Sequence, residues 1–147
     1  MLVNLLRQIA EEQKSFDEEP EAPATETEIL ELKRRTNDDK ISDVWFPDYA
    51  DFLKIRNGLD YDGLVIYNAN MTDTNNGFIA ANEIWNENDW EDNYVFLGDS
   101  NISWYCYSIT KNIFLELDKP SGDIINQFSS LNELLEAAIR NILCNIG

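Results

Sequence analysis

Histidine is absent from all 147 residues. Without it the chain has no imidazole general base, no Ser-His or Cys-His pair and no histidine metal ligand. Basic residues are scarce as well. Eleven Lys and Arg stand against 28 Asp and Glu, a formal net charge of -17, and the 54 residues between Arg56 and Lys111 contain neither Lys nor Arg. That stretch nevertheless carries nine carboxylates: Asp60, Asp62, Asp73, Glu83, Glu87, Asp89, Glu91, Asp92 and Asp99. A body with this surplus repels anionic membranes and nucleic acid, whose binding depends on cations meeting phosphates, and it attracts basic proteins. The two cysteines, Cys106 and Cys144, are too few for a disulfide framework and lack metal-ligand spacing. Both fall in apolar patterns and are expected to be buried free thiols. No run approaches the ~20 apolar residues of a membrane span. The opening MLVNLLRQIAEEQ lacks the basic start and unbroken apolar stretch of a signal peptide. The expected location is cytoplasmic.

What is present is enough for a core. With 44% hydrophobic and 12% aromatic residues, the acidity does not imply disorder. Leu2, Leu5, Leu6 and Ile9 recur at helical spacing. The polar stretch 15–27, with Pro20 and Pro23, reads as a loop whose Asp17, Glu18, Glu19 and Glu21 have two readings, a solvated linker first and a contact tail second. Thr25 and Glu28 form a capping box for a helix through Ile29 and Leu32, which NDDK at 37–40 is expected to end. Pro47 suits the first position of a further helix through Tyr49, Phe52 and Leu53, and Asn57-Gly58 stops it. LVIY at 64–67 reads as a buried strand, 68–77 as a turn-rich loop, Phe78-Ile79 as a short strand or helix entry, and 80–90 as a helix with Ile84 and Trp85 on its apolar side. Strands follow at 94–98, 102–107, 113–117 and 124–128. In the second of these, Ile102, Trp104 and Cys106 form an apolar face and Ser103, Tyr105 and Tyr107 a tyrosine-bearing one. Ser130 and Glu133 cap an amphipathic closing helix through Leu131, Leu134, Leu135, Ala138, Ile142 and Leu143. The order predicts a single α+β domain over 1–147, with helices around a mainly antiparallel sheet.

Chemical motifs do not assemble. Paired carboxylates for glycoside hydrolysis need a defined separation across a cleft, which acid density alone does not supply. With Gly77 as the sixth position of a calcium loop, Glu83 falls at the twelfth, but the first and third positions are Thr72 and Thr74, without carboxylates. GDSN at 98–101 lacks the G-x-S-x-G of a nucleophile turn and reads as a hairpin turn. No phosphate-cradling G-x-x-x-x-G-K-[ST] is present. No cofactor, metal site or catalytic residue is expected. The expected partner is a basic protein, met by Asp60, Asp62, Glu87, Asp89, Glu91, Asp92 and Asp99. Trp90, among acids and amides in NENDWEDN, has two readings: an exposed anchor within that contact surface, or a helix-end tryptophan folded back onto the sheet. Trp104 is assigned to the core by its alternation.

The run FPDYADFLKIRNGLDYDGLVIY (46–67) resembles the P-x-x-Y-x-x-F-L…N-G signature that opens the SUKH superfamily, the Syd, Smi and Knr-like proteins. GFIAANEIWNEN (77–88), LGDSNISWYCY (97–107), LDKPSGDI (117–124) and the closing helix at 130–144 follow in that family's order, closest to its YrhA-like branch. The resemblance spans about 25–144 and leaves the first helix and acidic linker, 1–24, outside it. It implies an α+β fold around a mostly antiparallel sheet, and no shared catalytic residues. For bacterial members it implies immunity proteins that block a cognate toxin, often a nuclease, by binding it. For fungal relatives it implies interaction modules that regulate cell-wall synthesis, the alternative function for this chain.

Overall fold

A computed structural model describes residues 2–36, 42–90 and 92–144. Among these residues five helices and six strands follow the order α1 (Leu2–Ser15), α2 (Glu26–Thr36), α3 (Ser42–Ile55), β1 (Leu59–Tyr61), β2 (Leu64–Ile66), α4 (Phe78–Trp85), β3 (Tyr94–Asp99), β4 (Ser103–Ser108), β5 (Ile113–Asp118), β6 (Ile124–Phe128) and α5 (Leu131–Cys144). The strands form one antiparallel meander in chain order, with β1 and β6 at its edges. Helices pack against the sheet, α5 on β2, β5 and β6 and α4 on β3. The fold is α+β, as the pattern of elements predicts. Among the described residues no helix is long and apolar enough to cross a membrane.

Local signals account for several element ends. The capping box is made: the Thr25 hydroxyl accepts the Glu28 N–H at 3.1 Å, and the Glu28 carboxylate accepts the Thr25 N–H at 2.9 Å. Gly58, at φ 86°, follows the end of α3 in the left-handed region expected of a stop. The end of α2 predicted at 37–40 lies outside the described residues.

Three expectations change. Pro47 is inside α3 rather than at its start, because the helix begins at Ser42. Burial explains the extension: Trp45 stacks on Phe78 with ring centroids 5.4 Å apart, and Phe46 is buried beside it. That packing outweighs the one backbone hydrogen bond proline cannot donate. The helix predicted at 80–90 runs instead over Phe78–Trp85, burying Phe78 and Ala81 while Ile84 is exposed. The strand predicted from 102 begins at Ser103 and leaves Ile102 exposed in the turn. One strand is new: β1 pairs with β2 across Asp62-Gly63, both at positive φ, the two-residue turn that matches strand twist.

β4 is buried on both faces. On the Trp104 face, Trp85 and Trp90 meet Trp104 edge-on at 5.4 and 5.1 Å. On the other, Tyr105 and Glu116 share a small cavity with Ala138, Asn141 and Ile142 of α5. Trp104 is core, as its alternation predicts, and so are Tyr105 and Tyr107. Cys106 is a buried free thiol, with burial pushing its ionisation far up.

Candidate acidic interaction surface

The lack of Lys and Arg between Arg56 and Lys111 forces any salt bridge from this stretch to recruit a cation from elsewhere. Among the described residues three are recruited. Arg35 of α2 pairs with Glu83 at 3.7 Å, Lys111 with Asp92 at 3.3 Å, and Lys119 with Asp99 at 3.0 Å. Asp99 is held further by the Tyr67 hydroxyl, which donates to it at 2.5 Å and accepts the Trp85 indole N–H at 2.8 Å. Lys119 also lies over the Trp85 ring, 5.5 Å from its centre. Burial, then the Asp99 charge, pushes the Tyr67 hydroxyl far above its ordinary range, so it stays a donor to Asp99. Asp92 and Asp99 therefore serve the fold, their charges largely spent on lysines.

The remaining acids separate into two groups. Asp60 is on β1 and Asp62 in the β1–β2 turn, both exposed. Glu87 and Asp89 are exposed on the α4–β3 connection. Glu91 lies outside the described residues. The connection enters β3 at Tyr94, whereas β2 pairs with β3 only at Gly98 and Asp99, at the other end of the strand. The predicted contact residues thus stand on two separate elements, the β1–β2 hairpin and the α4–β3 connection.

Around Asp60 and Asp62 the structure adds acids that the sequence reading assigns to a solvated linker. Glu18, Glu19 and Glu21 join Asp60 and Asp62, with Phe16 and Tyr61, in a groove of about 770 Å³. The linker is docked, not loose. Arg56, 4% exposed, donates from one guanidinium nitrogen to Gln13 at 2.7 Å and to Glu21. The other oxygen of Glu21 accepts the backbone N–H of Asp60 at 3.1 Å. Backbone bonds from Ala24 to Leu53 and from Asn57 to Ala22 fasten the same segment. One buried arginine thereby connects α1, the linker, α3 and β1. Tyr61 registers the surrounding charge: burial, then Glu12, Asp62 and Glu18, raise its ionisation above the ordinary tyrosine range. The run DEEPE at 17–21 was the available signal, but its partner, Arg56, lies 35 residues beyond Glu21.

Trp90 is folded back. Its indole N–H donates to the Trp85 carbonyl at 2.9 Å, and its ring meets Tyr94, Phe96 and Trp104. It is half-buried, in an aromatic cluster that continues the core. The exposed aromatic next to acids is Phe16, 68% exposed.

The 68–77 loop is built from Asn and Asp side chains that cap its own backbone. Asp73 accepts the Asn75 and Asn76 N–H groups at 2.9 Å each and the Asn68 amide at 2.9 Å. Those bonds, the Asn76 one first, hold the Asp73 carboxyl below the usual range. Among the described residues no three His, Cys, Asp or Glu are placed to hold a metal ion. Comparison with known proteins by sequence finds no matching family model and no matching curated protein.

Proposed function

We propose that this chain is a non-catalytic protein-binding domain, a bacterial immunity protein that neutralises a basic toxin domain, such as a nuclease, by stoichiometric binding in the cytoplasm. The observation that carries the reading is the distribution of unneutralised acid. Among the described residues, Asp60, Asp62, Glu87 and Asp89 have no Lys or Arg within salt-bridge reach, while the scarce lysines pair with Asp92 and Asp99. Exposed carboxylates without counter-charges speed the approach of a basic surface and favour its correct orientation. The groove of Glu18, Glu19, Asp60 and Asp62, with exposed Phe16, adds an apolar contact beside that charge. The resemblance of 46–67 and the later blocks to the SUKH pattern supports the same function.

The test is capture of the partner from the native host, followed by association kinetics against salt. Association is expected to slow steeply as ionic strength rises, since exposed charges are screened beyond about 8 Å at physiological salt. Replacing Asp60, Asp62, Glu87 and Asp89 with their amides should reproduce that loss at low salt and leave the melting temperature unchanged or slightly higher. An unchanged on-rate and salt slope in this variant would remove the acidic surface from the mechanism.

A further inference from the structure

β6 is the open edge of the sheet. Among the described residues it pairs only with β5, through Phe114–Phe128, Leu115–Gln127, Glu116–Asn126 and Leu117–Ile124, with Ile125 bulged out of register. Residues 124–127 are all exposed, Ile124 and Ile125 at 37% and 47%. Edge strands are ordinarily protected by a charge, a proline or a covering loop. From Ile124 to Phe128 there is neither charge nor proline, and no hydrogen bond from another described element reaches the outer side of the backbone. The opposite edge is covered, because Glu21 takes the Asp60 N–H and the acidic linker packs alongside.

We propose that β6 receives an extended segment of the basic partner as a seventh, β-paired strand, with backbone hydrogen bonds supplying affinity and Ile124 and Ile125 the apolar contact. This rests on the reading of the chain as a binder of a basic protein. Charge selects the occupant. Asp123 stands at the start of β6 and Glu133 shortly past its end, and the nearby Lys119 is committed to Asp99 and Trp85. A strand flanked by Lys or Arg places cations at those acids. A second copy of this chain, laid antiparallel along β6, brings like carboxylates together and adds a second body of charge -17.

The test uses the isotope-labelled full chain and two blocked peptides that alternate valine and threonine, one ending in lysines and the other in glutamates. The lysine peptide is expected to bind saturably and slow amide exchange within Ile124–Phe128 by roughly tenfold or more, and the glutamate peptide to do neither. Ile125→Pro, which removes a backbone N–H from β6, should abolish the effect. Ile125→Lys, which keeps the backbone intact, should weaken it roughly tenfold by setting like charges together. Exchange at β6 that slows with protein concentration and no peptide would make a second copy the occupant and overturn the proposal. A response confined to the Asp60–Asp62 groove or the Glu87–Asp89 connection would overturn the edge and leave the acidic binding reading standing. No response at any residue would also overturn it, whereas failure of the immunity reading shows separately in the salt slope of the captured partner.

Discussion

The two edges of the sheet close the same hydrogen-bonding problem in opposite ways. β1 is three residues long, carries Asp60, and has its Asp60 N–H satisfied by Glu21, which Arg56 holds in place from just past the end of α3. β6 is five residues long, uncharged, and leaves two isoleucines in solvent. One edge is shielded by acids that a buried cation organises, and the other has no shield among the described residues. Carboxylates fall into two sets in this molecule: some are consumed in holding the chain together, as Glu21, Asp92 and Asp99 are, and others, such as Asp62 and Asp89, are exposed without a counter-charge among the described residues. Counting acids along the sequence cannot separate them, but the positions of Arg56, Lys111 and Lys119 do.

The largest effect should come from the strand between the edges. Trp104 is 8% exposed and packs on Trp85, Trp90 and Phe96. Trp104→Ala is expected to cost about 3–5 kcal/mol and to weaken amide protection at both edges together. A wild-type melting temperature in that variant would contradict the packing described. Arg56→Met should break the comparison on one side only. Removing one partner of a buried ion pair costs about 3–5 kcal/mol, and because Glu21 is a quarter exposed, water recovers part of this, leaving about 2–3 kcal/mol. Faster exchange should appear at Asp60 and along 16–24, with β6 unchanged; equal loss at β6 would mean the arginine supports the whole sheet.

Alkaline pH gives a smaller and graded effect. Burial first, and the Glu116 charge second, push Tyr105 up to about 12 from its ordinary 10.0. The unfolded chain therefore releases this proton before the folded one does. Stability is complete below pH 10 and falls as pH rises towards 12, by about 2 kcal/mol at the upper end. Tyr105→Phe should flatten that part of the stability profile; an unaltered profile would assign the alkaline loss to other buried tyrosines. At the β1 edge, Tyr61 is raised partly by Glu12, Asp62 and Glu18, so Asp62→Asn or added salt should lower its spectrophotometric titration midpoint. The smallest effect is expected at β6, where the Asn126 amide donates to the buried Glu116 carboxylate at 2.9 Å. Asn126→Ala should cost about 1 kcal/mol, because Ser103 still donates to Glu116. A cost as large as that of Arg56→Met would show that β6 is more than a peripheral strand.

The fold was legible where the sequence carries local, repeated signals. Alternation found the strands from 94 to 128, Thr25–Glu28 and Ser130–Glu133 marked helix starts, and Asn57-Gly58 marked a stop. Elements set by distant packing were misjudged. Pro47 pointed to a helix start because the stacking of Trp45 on Phe78 is invisible along the chain, and β1 was missed because three residues give too short a pattern. The candidate site was legible as a charge surplus and not as a place. Asp60 and Asp62 stand next to Glu18, Glu19 and Glu21 only after Arg56 draws the linker in, and Trp90 changes from candidate anchor to packing residue once its ring meets Trp104.

The sequence by itself determined the charge of -17, the absence of imidazole chemistry and the α+β class, because composition and short-range periodicity are properties of the chain before it folds. The tertiary structure decided which carboxylates are neutralised, that Trp90 folds back onto the core and which sheet edge is left open. Each of those depends on groups far apart in sequence coming within hydrogen-bond or van der Waals reach, as Arg56 does with Glu21 and Lys119 with Asp99.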